Sequence, residues 1–158
     1  KWKDKILSNK KKNIGIIWAG NPSHKKNLQR SLNFKYFEKL LNLDFNFYSL
    51  QVGKNSDDIS KNYRNKIINL SPKIRNFSDT ASIMKNLDLI ISVDTASAHL
   101  AGALNKKVWT ILSMESEWRW MLNKNLSPWY PSMKLFRQKN IGEWQDVINN
   151  VYSDLKNE

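Results

Sequence analysis

The feature that most constrains this chain is a rhythm. Mostly apolar runs rich in β-branched residues alternate with stretches whose apolar residues recur at helical spacing. The runs are NIGIIWAG (13–20), FNFYSLQ (45–51), KIINL (66–70), DLIISV (88–93) and VWTIL (108–112). Each reads as a strand, and continuous rather than alternating apolarity predicts burial on both faces. Between them, Phe34, Phe37, Leu40 and Leu41 predict a helix over 33–43. Ala81, Ile83, Met84 and Leu87 predict another over 78–87, with Ser78 or Asp79 as its N-cap. A helix of small residues is expected over 95–104, ended by Asn105. A closing helix is expected over 144–155, with Trp144, Val147, Ile148, Val151 and Leu155 on one face. Residues 57–65 read as weakly helical or irregular, and 134–137 as a short last strand.

Strands that alternate with helices and are apolar on both faces imply a parallel sheet covered on each side. Right-handed crossovers make it doubly wound. The predicted fold class is therefore α/β, a doubly wound, mainly parallel, Rossmann-like sheet. Ligands of such sheets lie at the C-terminal ends of the strands. At 158 residues one domain is expected. Residues 1–12 read as a basic lead-in or linker, with a short helix over 2–7, and residues 13–158 as the domain. The chain begins with Lys rather than Met, so it is expected to be a piece of a longer protein.

Cysteine is absent, which removes disulfides and thiolate metal sites and fits a reducing compartment. No apolar run reaches the length of a membrane span. The formal charge of +12 could attract nucleic acid, anionic lipid or a phosphorylated ligand. Yet 21 of the 26 basic residues are Lys and 20 residues are Asn, a bias that AT-rich codons produce. Arg, which phosphate and groove readers favour, is scarce. Specific nucleic-acid binding is not expected, and membrane contact is expected to be peripheral at most.

Four segments carry candidate chemistry. In VDTASAHLAG (93–102) a strand meets a helix almost at once. Asp94 or Thr95 is the natural N-cap, and small Ala96 leaves room for a ligand to reach the first amides. Those amides and the helix dipole favour an anion. His99, one turn in, is placed to donate to a phosphate. The bland reading is a well-capped helix packed closely on the sheet, which does not require the histidine. In WAGNPSHKKNLQRSL (18–32), Gly20 permits a tight turn and Asn21 with Pro22 starts one. His24, Lys25, Lys26 and Arg30 bring positive charge, with Arg30 favoured for its forked oxygen contacts. Ser31 either caps the next helix or touches phosphate. In SLQVG (49–53), Gln51 either reads a ribose or base edge or is simply solvated. In ESEWRWMLNKNLSPWYP (115–131), Trp118, Arg119, Trp120, Trp129 and Tyr130 offer either stacking surfaces or a small core under the loop. A mixed outcome has Trp129 packed and Trp118 and Arg119 facing the ligand.

No GxxxxGK[ST] or GxGxxG pattern is present, so P-loop and ordinary dinucleotide sites are excluded. His24 and His99 are the only histidines, and no metal site is expected. There is no nucleophile elbow.

Taken in combination, IIWAGNPSHKKNLQRSL, FYSLQVG, DTASIMKNLDLIISVDTASAHLAGALNKKVW, EWRWML and SPWYPSMKLFRQ, followed by a W-x-x-V-I helix, resemble one family. They are similar to the C-terminal half of bacterial ADP-heptose:lipopolysaccharide heptosyltransferase-like enzymes (glycosyltransferase family 9). The likeness is greatest to the form of the domain found after tetratricopeptide repeats. It implies half of a GT-B fold, binding a nucleoside-diphosphate sugar. It places Thr95, Ala96 and His99 at the pyrophosphate, Gly20, Asn21 and Arg30 near the same phosphates, and Gln51 near the nucleoside. Lys25 or Lys26 would supply the lysine common in the family's first C-terminal loop.

The resemblance further implies a glycan, lipid-linked or protein acceptor and a role in cell-surface glycan synthesis or protein glycosylation. It implies partnership with an N-terminal domain or tetratricopeptide repeats, no metal or other cofactor, and a cytoplasmic location at the inner face of the bacterial membrane. The acceptor half and the usual catalytic acid are missing from this chain, so no catalytic base is assigned. Low activity of the isolated chain is expected. The rival reading is a non-catalytic module, derived from such an enzyme, that holds a nucleotide or docks a partner.

Overall fold

The computed structural model describes residues 2–158, so the first residue of the lead-in lies outside it. Among the described residues, six strands form one sheet: β1 (Asn13–Ile17), β2 (Asn46–Ser49), β3 (Ile67–Asn69), β4 (Leu89–Val93), β5 (Val108–Leu112) and β6 (Met133–Arg137). Their spatial order is β3-β2-β1-β4-β5-β6, and every pairing is parallel. The order reverses between β1 and β4, so the loops after these two strands diverge and leave a crevice. No helix among the described residues is long and apolar enough to cross a membrane.

The continuous apolarity of the strands is explained by two core layers. Ile14, Ile16, Ile91, Val93, Trp109 and Ile111 face one layer, with Phe34, Phe37, Leu40 and the apolar side of α4 (Trp144–Lys156). Ile17, Tyr48, Ile90, Val108 and Leu112 face the other, with Ile83 and Met84 of α2 (Phe77–Met84) and Ala98 and Ala101 of α3 (Ala96–Ala103). A remaining short helix, α1 (Asn27–Arg30), lies in the loop after β1. The lead-in folds onto the second layer through buried Trp2 and Ile6, with a 3-10 turn at Lys3–Lys5.

Two helical expectations are corrected. Phe34–Asn42 is 3-10 rather than α. Phe34, Phe37 and Leu40 repeat every three residues, which stacks them in one line at three residues per turn. The N-cap of α2 is neither Ser78 nor Asp79. It is Asn76, whose side chain accepts from the Asp79 amide at 3.0 Å. Around the stretch 57–65, expected to be weakly helical or irregular, two 3-10 turns form at Lys54–Asp58 and Lys61–Tyr63. After α3, Asn105 takes a positive φ of 52°, and Lys106 N–H reaches back to the Ala101 carbonyl at 3.0 Å. That reversal stops the helix where the sequence places its end.

The cap assignment has a measurable consequence. Asn76→Ala is expected to cost about 1 kcal/mol, whereas Ser78→Ala costs a few tenths at most. Urea midpoints of the two variants separate them.

Candidate functional site

The loops after β1, β4 and β5 enclose a cavity of about 760 Å³, lined by residues that include Asn21, Arg30, Asp94, Thr95, Ala96 and His99. Trp118, Arg119, Trp129 and Tyr130 form its other wall. Residues more than 100 positions apart in the sequence thus meet at the C-terminal edge of the sheet.

The floor is the start of α3. Thr95 is its N-cap, but no side chain caps the helix. Thr95 Oγ1 lies instead 3.3 Å from Ser92 Oγ, below the helix start. The amides of Ala96 and Ser97, in the first turn, have no carbonyl within the helix to bond. Of the two expected N-caps the structure takes Thr95, not Asp94, whose carboxylate is buried and lines the cavity. Close packing comes from Ala98, Ala101 and Gly102, not from Ala96 or Ala103, which are exposed.

The β1 loop supplies Arg30. A Cβ at Gly20 would lie 2.7 Å from Asn27 Oδ1 and 3.0–3.1 Å from the Arg30 guanidinium. Only glycine lets that guanidinium lie so close to the backbone. Ser31 fastens the turn, accepting from the Gly20 amide and donating to Asn27 Oδ1, each at 3.0 Å. Arg30 Nε is buried, with no hydrogen-bond partner among the described residues. Such an orphaned donor costs about 1–3 kcal/mol, and Arg30 lines the cavity.

Four expected ligand contacts lie elsewhere. Gly20 is beneath Arg30, and Ser31 braces the turn without capping the following segment, a role Asn33 takes by accepting from the Lys35 amide. Lys25 is exposed and off the cavity wall. Gln51 is 3% exposed and clamps the β1 loop. Its Oε1 accepts from the Trp18 and Ala19 amides at 3.1 and 2.9 Å. Its Nε2 donates to the Ala19 and Val52 carbonyls, both at 3.1 Å. With those four bonds made, it has little left for a nucleoside. A strand-end glutamine reads the same in sequence whether it faces ligand or backbone.

The aromatic loop divides differently from the expectation. Trp120 is the packed residue, at 0% exposure, while Trp118 and Trp129 are 71% and 54% exposed. The two exposed rings meet edge to face at 6.2 Å, and Trp129 Nε1 donates to the Arg119 carbonyl at 2.9 Å. Arg119 lies over Trp118 and pairs with Glu117. Arg137, at the end of β6, ties this loop down by donating to Ser116 Oγ and to the Trp120 carbonyl. Sequence reading gave Glu117 no role and did not separate Tyr130 from its aromatic neighbours. No spacing rule marks them, because a long loop has no period.

His99 stacks on Trp120, with ring centroids 4.9 Å apart, and its Nδ1 lies 3.1 Å from the Tyr130 hydroxyl. Burial pushes its pKa below the ordinary histidine value; Arg119 acts in the same direction and Asp94 opposes. The folded state therefore disfavours the imidazolium. As pH falls through the ordinary histidine pKa, the unfolded chain takes up this proton first, and stability declines.

Two outcomes are expected. Gln51→Ala should destabilise by about 3 kcal/mol, because buried amides of the β1 loop lose their acceptor; a urea midpoint measures it. In an NMR titration His99 should titrate below a free histidine peptide, and Arg119→Ala should raise its midpoint by removing a neighbouring positive charge.

The chain is 26% identical over 155 residues to Protein FlbA of Caulobacter vibrioides, a match covering 90% of this chain and 25% of that protein. The E. coli ADP-heptose lps heptosyltransferase II superposes with a TM-score of 0.63 at 12% identity, over 94% of this chain and 48% of that one. The glycosyl transferase family 9 structure from Veillonella parvula superposes with a TM-score of 0.59 at 12% identity, over 98% and 51%. The chain thus spans about a quarter of its curated relative and about half of these solved structures. At such identity the superpositions establish the fold, equivalent to half of each enzyme. The family model for glycosyltransferase family 9 (heptosyltransferase) matches residues 53–149, well over half of the 158-residue chain, and on that match the chain belongs to glycosyltransferase family 9.

Proposed function

We propose that this chain is the donor-binding domain of a glycosyltransferase and holds a nucleoside-diphosphate sugar in the cavity between the β1, β4 and β5 loops. The observation that carries the reading is the pairing of the buried, unpartnered Arg30 Nε with the uncapped start of α3 on one cavity. Both are donors without acceptors, and a diphosphate is an acceptor-rich anion. Arg119 contributes less positive charge because Glu117 pairs with it.

The chemistry available to this half is electrostatic. Charge grows on the departing nucleoside diphosphate as its bond to the sugar breaks. Arg30, the α3 amides and His99 stabilise that charge in fixed positions, and no metal or other cofactor is assigned. Asp94, a carboxylate in the same cavity, would repel phosphate and suits hydroxyl groups of the donor instead. The base that activates the acceptor is assigned to a further domain of a longer protein. The acceptor is a glycan, a lipid-linked sugar or a protein, and the reading extends to cell-surface glycan or protein glycosylation on the cytoplasmic side of the membrane.

A thermal-shift panel of ADP-, GDP- and UDP-sugars tests the reading. A matching donor at 100 times its Kd adds about 2.7 kcal/mol, a rise of roughly 5–10 °C for a domain of this size. Arg30→Ala should weaken binding about tenfold or more. A panel with no shift, or an Arg30→Ala variant that binds as well as the parent, would remove this assignment.

A further inference from the structure

Gly102 lies inside α3, where glycine is disfavoured relative to alanine. The reason for it is on its surface. A Cβ there would lie 2.5 Å from Tyr130 Cγ and 2.8 Å from both Cδ atoms. The missing side chain seats the Tyr130 ring directly on the helix, one turn below His99. The tyrosine is also held by its backbone: its amide donates to Ser127 Oγ at 3.3 Å, and its carbonyl accepts from the Met133 amide at 2.9 Å. From that seat its hydroxyl meets His99 Nδ1 at 3.1 Å.

The imidazole is constrained on three sides. Trp120 stacks on its face at an interplanar angle of 26°, Tyr130 meets it edge-on at 5.8 Å, and the hydroxyl fixes Nδ1. Nε2 has no protein partner among the described residues, and His99 lines the cavity. A neutral imidazole carries one N–H, and the hydrogen bond at one nitrogen decides which nitrogen keeps it. Burial disfavours the charged ring, so the ring serves as a donor in its neutral form. If Nδ1 kept the proton, Nε2 would present a lone pair to an anion, which repels it.

We propose that Tyr130 is a positioning residue: its hydroxyl donates to His99 Nδ1, keeps the ring proton on Nε2, and so aims an uncharged N–H donor at the anion in the cavity. The assignment rests on the anion-binding reading above. The tautomer itself can be read without any ligand.

The test is nitrogen NMR of the histidine-labelled chain, at a pH well above the ordinary histidine pKa, alongside binding of ADP, GDP and UDP. In the parent chain the His99 proton is expected on Nε2. Tyr130→Phe keeps the ring and removes the hydroxyl; it should give mixed tautomers and weaken binding of the preferred nucleoside diphosphate about tenfold. Gly102→Ala keeps the hydroxyl but displaces the ring, and should give the same tautomer mixture. In a His99→Gln background, where an amide supplies the donor, Tyr130→Phe should cause little further loss. A proton on Nδ1 in the parent overturns the proposal, as does a Tyr130→Phe chain with unchanged tautomer and affinity. A tautomer change in a chain that binds none of ADP, GDP and UDP supports the Tyr130–His99 arrangement and overturns the anion reading instead.

Discussion

The cavity end of the molecule depends on the burial of β4. All five of its residues are buried, it pairs in parallel with β1 and β5, and both core layers press on it. Val93 therefore has a fixed position, and α3 begins only three residues later. A helix N-terminus is a useful anion site only if it cannot drift, because its amides must point at a fixed spot. Here a strand buried on both faces holds it still.

Around that point the protein spends its polar groups on holding loops rather than on lining the cavity. Gln51 ties the β1 loop to the end of β2, Ser31 pins the Gly20 amide, and Arg137 ties the aromatic loop to β6. None of these side chains needs to touch a ligand. They decide where Arg30, Trp118 and Trp129 stand. Loops carry recognition residues well only when such braces offset their entropy. The packing of Trp120 under His99 belongs to the same scheme, since a fully buried ring beside a half-buried imidazole fixes its plane.

Much of the fold was legible because burial leaves a periodic trace. Val108–Leu112 was readable at its observed bounds, and the last helix within one residue. The helix pattern over 33–43 misled because residues three apart fit both an α-helix and a 3-10 turn. The α2 cap was missed because Asn76, Ser78 and Asp79 are all good caps, and only the backbone path separates them. Of the expected contact residues, Asn21, Arg30, Asp94, Thr95, Ala96, His99, Trp118 and Arg119 do line one cavity. They were legible because in a doubly wound sheet any polar residue just after a strand stands at the same edge.

By itself, the sequence determined the alternation of strand and helix, the parallel sheet, and the small-residue start of the helix after β4; that no side chain caps this start is the structure's finding. Those features are local, written in periodicity and in residues a few positions apart. Only the tertiary structure decided that Gln51 faces backbone, that Trp120 rather than Trp129 is the packed ring, and that Gly102 exists for Tyr130. Each is a contact between segments distant in sequence, and its outcome turns on which way a side chain points. Composition and spacing carry no record of that direction.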